Sequence, residues 1–473
     1  MALPTIVINS GTGSDSAASG AGPSTAITGV LAATHTNTTV NITDAVALGS
    51  VLTNGSAALW INTGSGRQWS GITAISGSSG AWVVTVANAY TATTSGQTWG
   101  IGGQRASMAG SAQLFVDWQL GWIVDVQTGE TISATITMTG PTVANTALSP
   151  IITSTTFTTW GTQPLIQTAT NSTVMFKVGT TGLTIRNLSF KNTATTRSDC
   201  FQALSASGVN ITWSSCIFDG FVQAINGSNN VPNQFSQCIL ESSEVKNCTG
   251  TSGSPSAVSF NEATGGACQV INCYIHSNVS ALYMSGSTAG SGGNVYGNVF
   301  ANNSAGTPVT LSPANVSFIN NTVYNCGAGT TLGAITFTGT PIGVASIENN
   351  IFASNAGYAI AIASSGIPTA LLIRNNAYYS NNGNGTGLDL LTISKGLGDI
   401  TLTASPFVST STPDFGLNST AGGGTACKGK AATVPNASAN TAGDLGAIPS
   451  GGGGSGGASG GLINLGMRGG FTD

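Results

Sequence analysis

Charge is the scarcest property of this chain. Asp, Glu, Lys and Arg make up 6% of its 473 residues, against about 25% in an ordinary globular domain. The 12 basic residues are scattered singly and form no stripe that could neutralise phosphates, which argues against nucleic acid as a partner. Histidine occurs only at His35 and His276, and the eight cysteines include no Cys-x-x-Cys pair, so no metal and no other cofactor is expected. Those cysteines are too sparse for the disulfide framework of a small secreted domain. No run approaches the roughly 18 apolar residues of a membrane span. Met1 to Gly11 lacks the basic region that opens a signal peptide. The Ala, Glu, Lys, Leu and Arg richness of long helices is missing too, which excludes a coiled coil or helical bundle.

Small and amide-bearing residues take their place. Glycine alone accounts for 66 positions, and Ser, Thr, Asn, Val and Ile are common. With 40% hydrophobic residues, a mean hydropathy of +0.21 and a net charge of −4, the chain lies outside the charged, weakly apolar range of disordered sequences. The expectation is a long all-β protein with a neutral surface of hydroxyls and amides.

A periodicity organises the middle of the chain. Phe190, Phe218, Val245, Ile275, Phe300, Val323, Phe352 and Tyr378 follow one another at intervals of 23 to 30 residues. Five positions before these anchors stand Ile185, Trp213, Leu240, Val270, Val295, Phe318, Ile347 and Ile373. Seven before stand Leu183, Ile211, Cys238, Cys268, Gly293, Val316, Ala345 and Leu371. Three before stand Asn187, Ser215, Ser242, Asn272, Gly297, Asn320, Asn349 and Asn375. Positions −7 and −5 share one face of a short strand, since strand side chains alternate with period 2. The polar pair at −3 and −2 interrupts the alternation, and Asn or Gly there tolerates the left-handed backbone of a corner. The anchor then points inward from a second strand.

A unit of about 27 residues cannot bury its own apolar face, so the units must stack as coils. Like residues then form ladders. Asn187, Asn272, Asn320, Asn349 and Asn375 are expected to bond amide to amide from coil to coil. At about 4.8 Å per coil the eight registers span on the order of 34 Å. Cys238 and Cys268 share an inward column; they pack as small apolar groups, although adjacent coils would also permit a bond.

Three regions are expected: a small N-terminal β domain over 1–109, the repeat over 110–450, and a tail over 451–473. Short strands at Ala58 to Ile61, Trp82 to Val86 and Trp99 to Ile101 mark the first. Ile393 to Phe407 and Asp444 to Pro449 read as closing coils and cap. In the third, a Gly/Ser tether ends in an apolar peptide with Leu462, Ile463, Leu465, Met467 and Phe471, read as a docking segment.

The unit Leu183-Thr-Ile-Arg-Asn-Leu-Ser-Phe190-Lys-Asn192, with its Asn corner, resembles right-handed parallel β-helix proteins of the pectate-lyase-like class. Asp444-Leu-Gly-Ala-Ile448 is similar to their final-coil motif. The resemblance implies the fold but no single function, because that fold hosts lyases, glycoside hydrolases, adhesins and phage tailspikes. The segments Ser14 to Pro23 and Ser65-Gly-Arg-Gln68 resemble leading segments of β-helix virion proteins of tailed phages. That second resemblance implies a place on the virion exterior, and it allows a homotrimer.

The column directly after the anchors reads Lys191, Asp219, Lys246, His276, Ala301, Tyr324, Ala353 and Tyr379, with Glu241 and Glu244 nearby. A lyase needs a cation to neutralise a uronate carboxylate and a base to take the α-proton. Lys191, Lys246 and His276 suit those roles, with Asp219 holding a lysine. The plainer reading is an alternating-charge ladder on a sheet face, and it is preferred, because no arginine and no Asp cluster accompany the column. A hydrolase needs two facing carboxylates, for which Asp219 with Glu241 or Glu244 is the nearest set. Trp118, Trp122, Trp160 and Trp213 invite a sugar-stacking platform, but core or cap packing explains them better. The expected function is therefore a non-enzymatic virion protein, a tail fibre or spike component or a capsid decoration. It would be attached to other virion proteins through its N-terminal domain and C-terminal tail, and would contact host surface polysaccharide. The alternatives are a polysaccharide lyase or other depolymerase acting on acidic glycans, or a bacterial adhesin at the cell surface.

Overall fold

A computed structural model describes residues 5–8, 27–32, 38–43, 58–63, 66–86, 89–90, 95–102, 104–105, 123–138, 151–171, 174–179, 182–204, 210–227, 235, 237–250, 256–262, 267–286, 292–304, 307–312, 315–327, 333–338, 343–362, 368–382, 395–411, 414–432 and 443–448. Among them the only α-helix is the single turn Gly424–Cys427. The chain divides into two compact units, Met1–Thr195 and Thr196–Asp473.

The first unit combines two architectures. Six antiparallel strands form one sheet in the order Ile27–Val30, Thr98–Gly102, Ala58–Thr63, Gly66–Ser78, Ala81–Val86, Thr39–Ile42. Its core is Leu31, Val40, Ile42, Leu59, Ile61, Val84, Val86, Tyr90 and Trp99. The rest of the unit is parallel: Ile151–Thr153 pairs with Ile123–Val126 and Leu183–Arg186, and Leu165–Thr168 pairs with Ser189–Asn192. Thr5–Ile8 joins this parallel set beside Ile123–Val126. Parallel pairing therefore begins ahead of residue 110, where the repeat was expected to start, and the antiparallel sheet is an excursion within it.

In the second unit six successive coils, from Ile211–Ser214 to Tyr358–Ile362, each supply one strand to each of three parallel sheets, at about 26 residues per turn. One coil runs Ala267–Ile271, Tyr274–His276, Leu282–Gly286, in the first, second and third sheets. The anchors lie directly over one another, because Phe218, Val245, Ile275, Phe300, Val323, Phe352 and Tyr378 are register partners strand by strand. So are the −5 residues from Trp213 to Ile373. All eight anchors, Phe190 included, are buried. Stacking of like on like extends to the rings of the anchor column, where Phe352 and Tyr378 lie at 11° between planes. All eight cysteines are buried and none forms a disulfide, Cys238 and Cys268 included.

The corners hold the main correction. All eight −3 residues adopt positive φ, between 47° and 66°, as the choice of Asn, Ser and Gly there anticipates. Asn187, Asn272, Asn320, Asn349 and Asn375 thereby form the bend but do not make the coil-to-coil ladder. That ladder lies one residue later, where side chains turn inward. Asn298, Asn321 and Asn350 each donate Nδ2 to Oδ1 of the next rung, at 3.0, 3.2 and 2.9 Å, ending on Asn376. Their backbone N–H groups reach the same oxygens. The other amide proton of each rung returns to a carbonyl of the preceding coil: Val270, Val295, Phe318 and Ile347. Each buried amide is thus fully satisfied, which a low-dielectric interior requires. The series stops at Asp399, which accepts from Asn376 N and Nδ2, Tyr378 OH and Gly396 N.

A second corner follows the anchor. Gly220, Asn247, Ser277, Asn302, Asn325, Ser354 and Ser380 have positive φ. The residues after them form a second buried series that includes Asn278–Asn303 and Asn355–Asn381.

Candidate functional site

The outward residues of the second sheet form two columns. One reads Asp219, Lys246, His276, Ala301, Tyr324, Ala353, Tyr379 and the other Ile217, Glu244, Tyr274, Val299, Thr322, Ile351, Ala377, each in unbroken parallel register. Three of the four charged residues picked out in the sequence, Asp219, Lys246 and His276, are therefore brought together on successive strands. Lys191 lies in the first unit, in register with Gln167.

Glu244 is the residue that ties this island. It is buried, and its Oε1 lies 2.9 Å from His276 Nε2 and 3.2 Å from Lys246 Nζ. Burial pushes its carboxyl up, but the hydrogen bond from His276 and the charge of Lys246 outweigh that, and it sits below the ordinary glutamate range. The other ring nitrogen, His276 Nδ1, lies 3.1 Å from the Ser277 hydroxyl. The imidazole stacks on Tyr274 at 3.9 Å and 18°. Beside it, Asn247 Nδ2 donates to Asp219 Oδ1 at 2.8 Å, and Arg197 Nη1 donates to the Asn247 carbonyl at 2.7 Å. Arg197 supplies the guanidinium that the column itself lacks; it belongs to no column, so periodicity gave no signal for it. Glu244 stood one position before an anchor, adjacent to the column examined.

As an acid–base centre the arrangement is poor. Glu244 is held ionised by the Lys246 ammonium and the hydrogen bond from His276, whereas a general acid needs a raised pKa. Glu241 belongs to the first sheet, before the Ser242 corner, while Asp219 and Glu244 follow their corners on the second. As a polar contact surface the island offers one guanidinium, one ammonium and one imidazole beside two carboxylates. Among the described residues no three His, Cys, Asp or Glu side chains gather as metal ligands would, and no helix is long and apolar enough to cross a membrane.

Beyond His276 the face is covered. Leu402, Phe407, Phe415, Leu417, Cys427, Ala431, Leu445 and Ala447 pack with Tyr274, Val299, Ala301, Ile351, Ala353 and Ala377 in one buried cluster, with Tyr324 and Tyr379 against it. The antiparallel hairpin of Phe407–Ser409 and Asp414–Leu417 brings Phe415 within 6.3 Å of the Tyr274 ring and 5.5 Å of Tyr324. Two −3 asparagines find their partners here: Asn349 exchanges bonds with the Ala432 backbone, and Asn375 donates to Lys430 O. Gly446 N donates to Asn349 O, and Ala447 N donates to Thr322 Oγ1. Gly446 has φ +88°, and a Cβ there would stand 2.7 Å from Ile351 Cδ1, so glycine is required. Asp444 to Ile448, read from sequence as part of a closing coil, instead lies across the outside of the second sheet. Trp213 is a core residue, Trp160 is half-buried, and Trp118 and Trp122 fall outside the described residues.

Residues 238–392 match the family model described as right handed beta helix region. Among solved structures, a rhamnogalacturonan lyase is similar at 10% identity and TM-score 0.37, over 65% of this chain and 86% of that one. The catalytic domain of a GH87 alpha-1,3-glucanase in complex with tetrasaccharides follows at 12% and 0.36, over 84% and 90%. A PL6 family alginate lyase stands at 12% and 0.30, over 63% and 53%. These are likenesses of fold and carry nothing about chemistry. No curated protein matches the chain.

Proposed function

We propose that this chain is a non-enzymatic β-helix protein of a phage virion, a tail fibre or spike component or a capsid decoration, and that it contacts host surface glycans through the open polar island around Lys246. The observation that carries the non-enzymatic reading is the state of the charged face. Its later coils lie beneath the chain's own C-terminal segment, and the carboxylate in its open part is locked between Lys246 and His276. The placement on a virion is supported by the likeness of Ser14 to Pro23 to leading segments of phage β-helix proteins. A surface with few charges and many hydroxyls and amides suits a glycan contact built from hydrogen bonds. Attachment to the particle is assigned to the first unit.

A second reading keeps one specific observation in its favour. Arg197, Lys246 and His276 stand together at the open end, and three such donors suit the carboxylate of an acidic sugar. Purified chain incubated with polygalacturonate and alginate is expected to produce no rise in the ultraviolet absorbance of unsaturated uronate. A rise that Lys246→Ala abolishes would establish the lyase instead. Mass spectrometry of purified phage particles is expected to find the chain's peptides, and particles without them would remove the virion assignment.

A further inference from the structure

One outward column of the first sheet is mostly polar until its last coil. The column Thr212, Ile239, Gln269, Asn294, Ser317, Ser346 ends on Leu372, each residue in register with the next. Leu372 is 45% exposed, Val344 beside it 51%, and Leu397, bridged to Arg374, 87%. Only six large hydrophobic side chains are so exposed among the described residues, and three of them meet here. Contiguous apolar exposure of this kind marks a surface that something covers.

We infer that the occupant is the chain's own C-terminal peptide, residues 462–471, which folds back in cis onto the patch of Val344, Leu372 and Leu397. Two features of the chain favour it. The described segment ends at Ile448, one residue after Ala447, which is bonded to Thr322 on the second sheet. Leu372 lies two coils further on and five residues before Ala377, the register equivalent of Thr322, so the gap is about 10 Å by 15 Å. The tether from Pro449 to Gly461, 13 residues rich in Gly and Ser, has a root-mean-square reach of about 20 Å. Tether and gap are thus matched, which places the peptide at millimolar effective concentration over the patch. The peptide's own pattern fits an apolar surface, since Ile463, Leu465 and Met467 fall on one side of an extended segment.

A disulfide-trapping experiment on the full-length chain tests this. The native thiols are buried and leave the solvent-facing chemistry to introduced ones. Leu397→Cys combined with Leu465→Cys is expected to cross-link within one chain at least tenfold faster than Val408→Cys with Leu465→Cys, position 408 being exposed on the covering hairpin. Adding Ile463→Asp and Met467→Asp is expected to erase that preference while leaving the tether length unchanged. Equal rates for the two pairs would overturn the inference. A cross-link formed chiefly between two chains would also overturn it and assign the patch to a second copy.

Discussion

The early and late halves of the second unit are built from the same coil and finished differently. From Ile217 to His276 the outer face of the second sheet carries Asp219, Glu244, Lys246 and His276; Asp219, Lys246 and His276 are partly exposed, while Ile217, Glu244 and Tyr274 are buried. From Val299 to Ala377 it is apolar and covered. The inward corner differs in step. In the early coils it is Cys216, Ser243 and Cys273, and in the late ones Asn298, Asn321, Asn350 and Asn376. Burial pushes the Cys273 thiol up to about 12, so it acts there as a small apolar plug. The late half is held from inside by amides and from outside by an aromatic clamp. The early half leaves its exterior available for contact.

The contrast can be broken at the clamp with the largest effect. Phe415→Ala removes the ring that joins Tyr274, Tyr324 and Phe407. It is expected to cost about 3–5 kcal/mol, read by chemical denaturation. The corners come next. Asn350→Ala strands the donors of Asn321 and the acceptor Phe318 O, and leaves Asn376 Oδ1 with the backbone N–H of residue 350 as its bond from this coil. A loss of about 2–3 kcal/mol is expected, against about 1 kcal/mol for Cys273→Ala in the early half. Equal losses would show that the two corner types do the same work.

Smaller effects belong to the open face. Glu244 has a lowered folded pKa, so its stabilisation is complete above the ordinary glutamate value and disappears as pH falls through the folded one. Glu244→Gln is expected to cost about 1 kcal/mol at neutral pH and to flatten the loss of stability that the parent chain shows below about pH 4. Lys246→Ala, at a half-exposed position, is expected to stay within about 0.5 kcal/mol in thermal unfolding, with its effect confined to glycan binding.

Much of the fold was legible because a solenoid writes its contacts at a fixed period. The anchors and the −5 and −7 columns are register partners in the structure because each repeats one side-chain direction. The ladder was misread by one residue for a physical reason. Asn320-Asn321, Asn349-Asn350 and Asn375-Asn376 are twins, and composition does not say which amide turns inward. Gly297-Asn298 held the answer, since only the second position there has an amide. Ile400–Thr401 continues the second sheet as a further rung, as the closing-coil reading expected. The cover after it was not legible, because its described residues from Phe407 onward follow no coil period and reach partners 55 to 125 residues away, as Lys430 does with Asn375 and Ala447 with Thr322. The polar island was half legible. Its column was found, whereas Arg197 arrives by a tertiary contact.

The bonds between asparagine side chains have a direction, since each rung gives one amide proton to the oxygen of the next rung and its own oxygen accepts from the rung behind. Asp399 receives and has nothing to pass on. Duplication of a coil within the asparagine series, Asn298 to Asn350, would lengthen the stack without changing the chemistry of either neighbour. Appending one after Asp399 would set an acceptor against an acceptor. The sequence thus carries its own full stop, and variation in length between related chains should accumulate on one side of it.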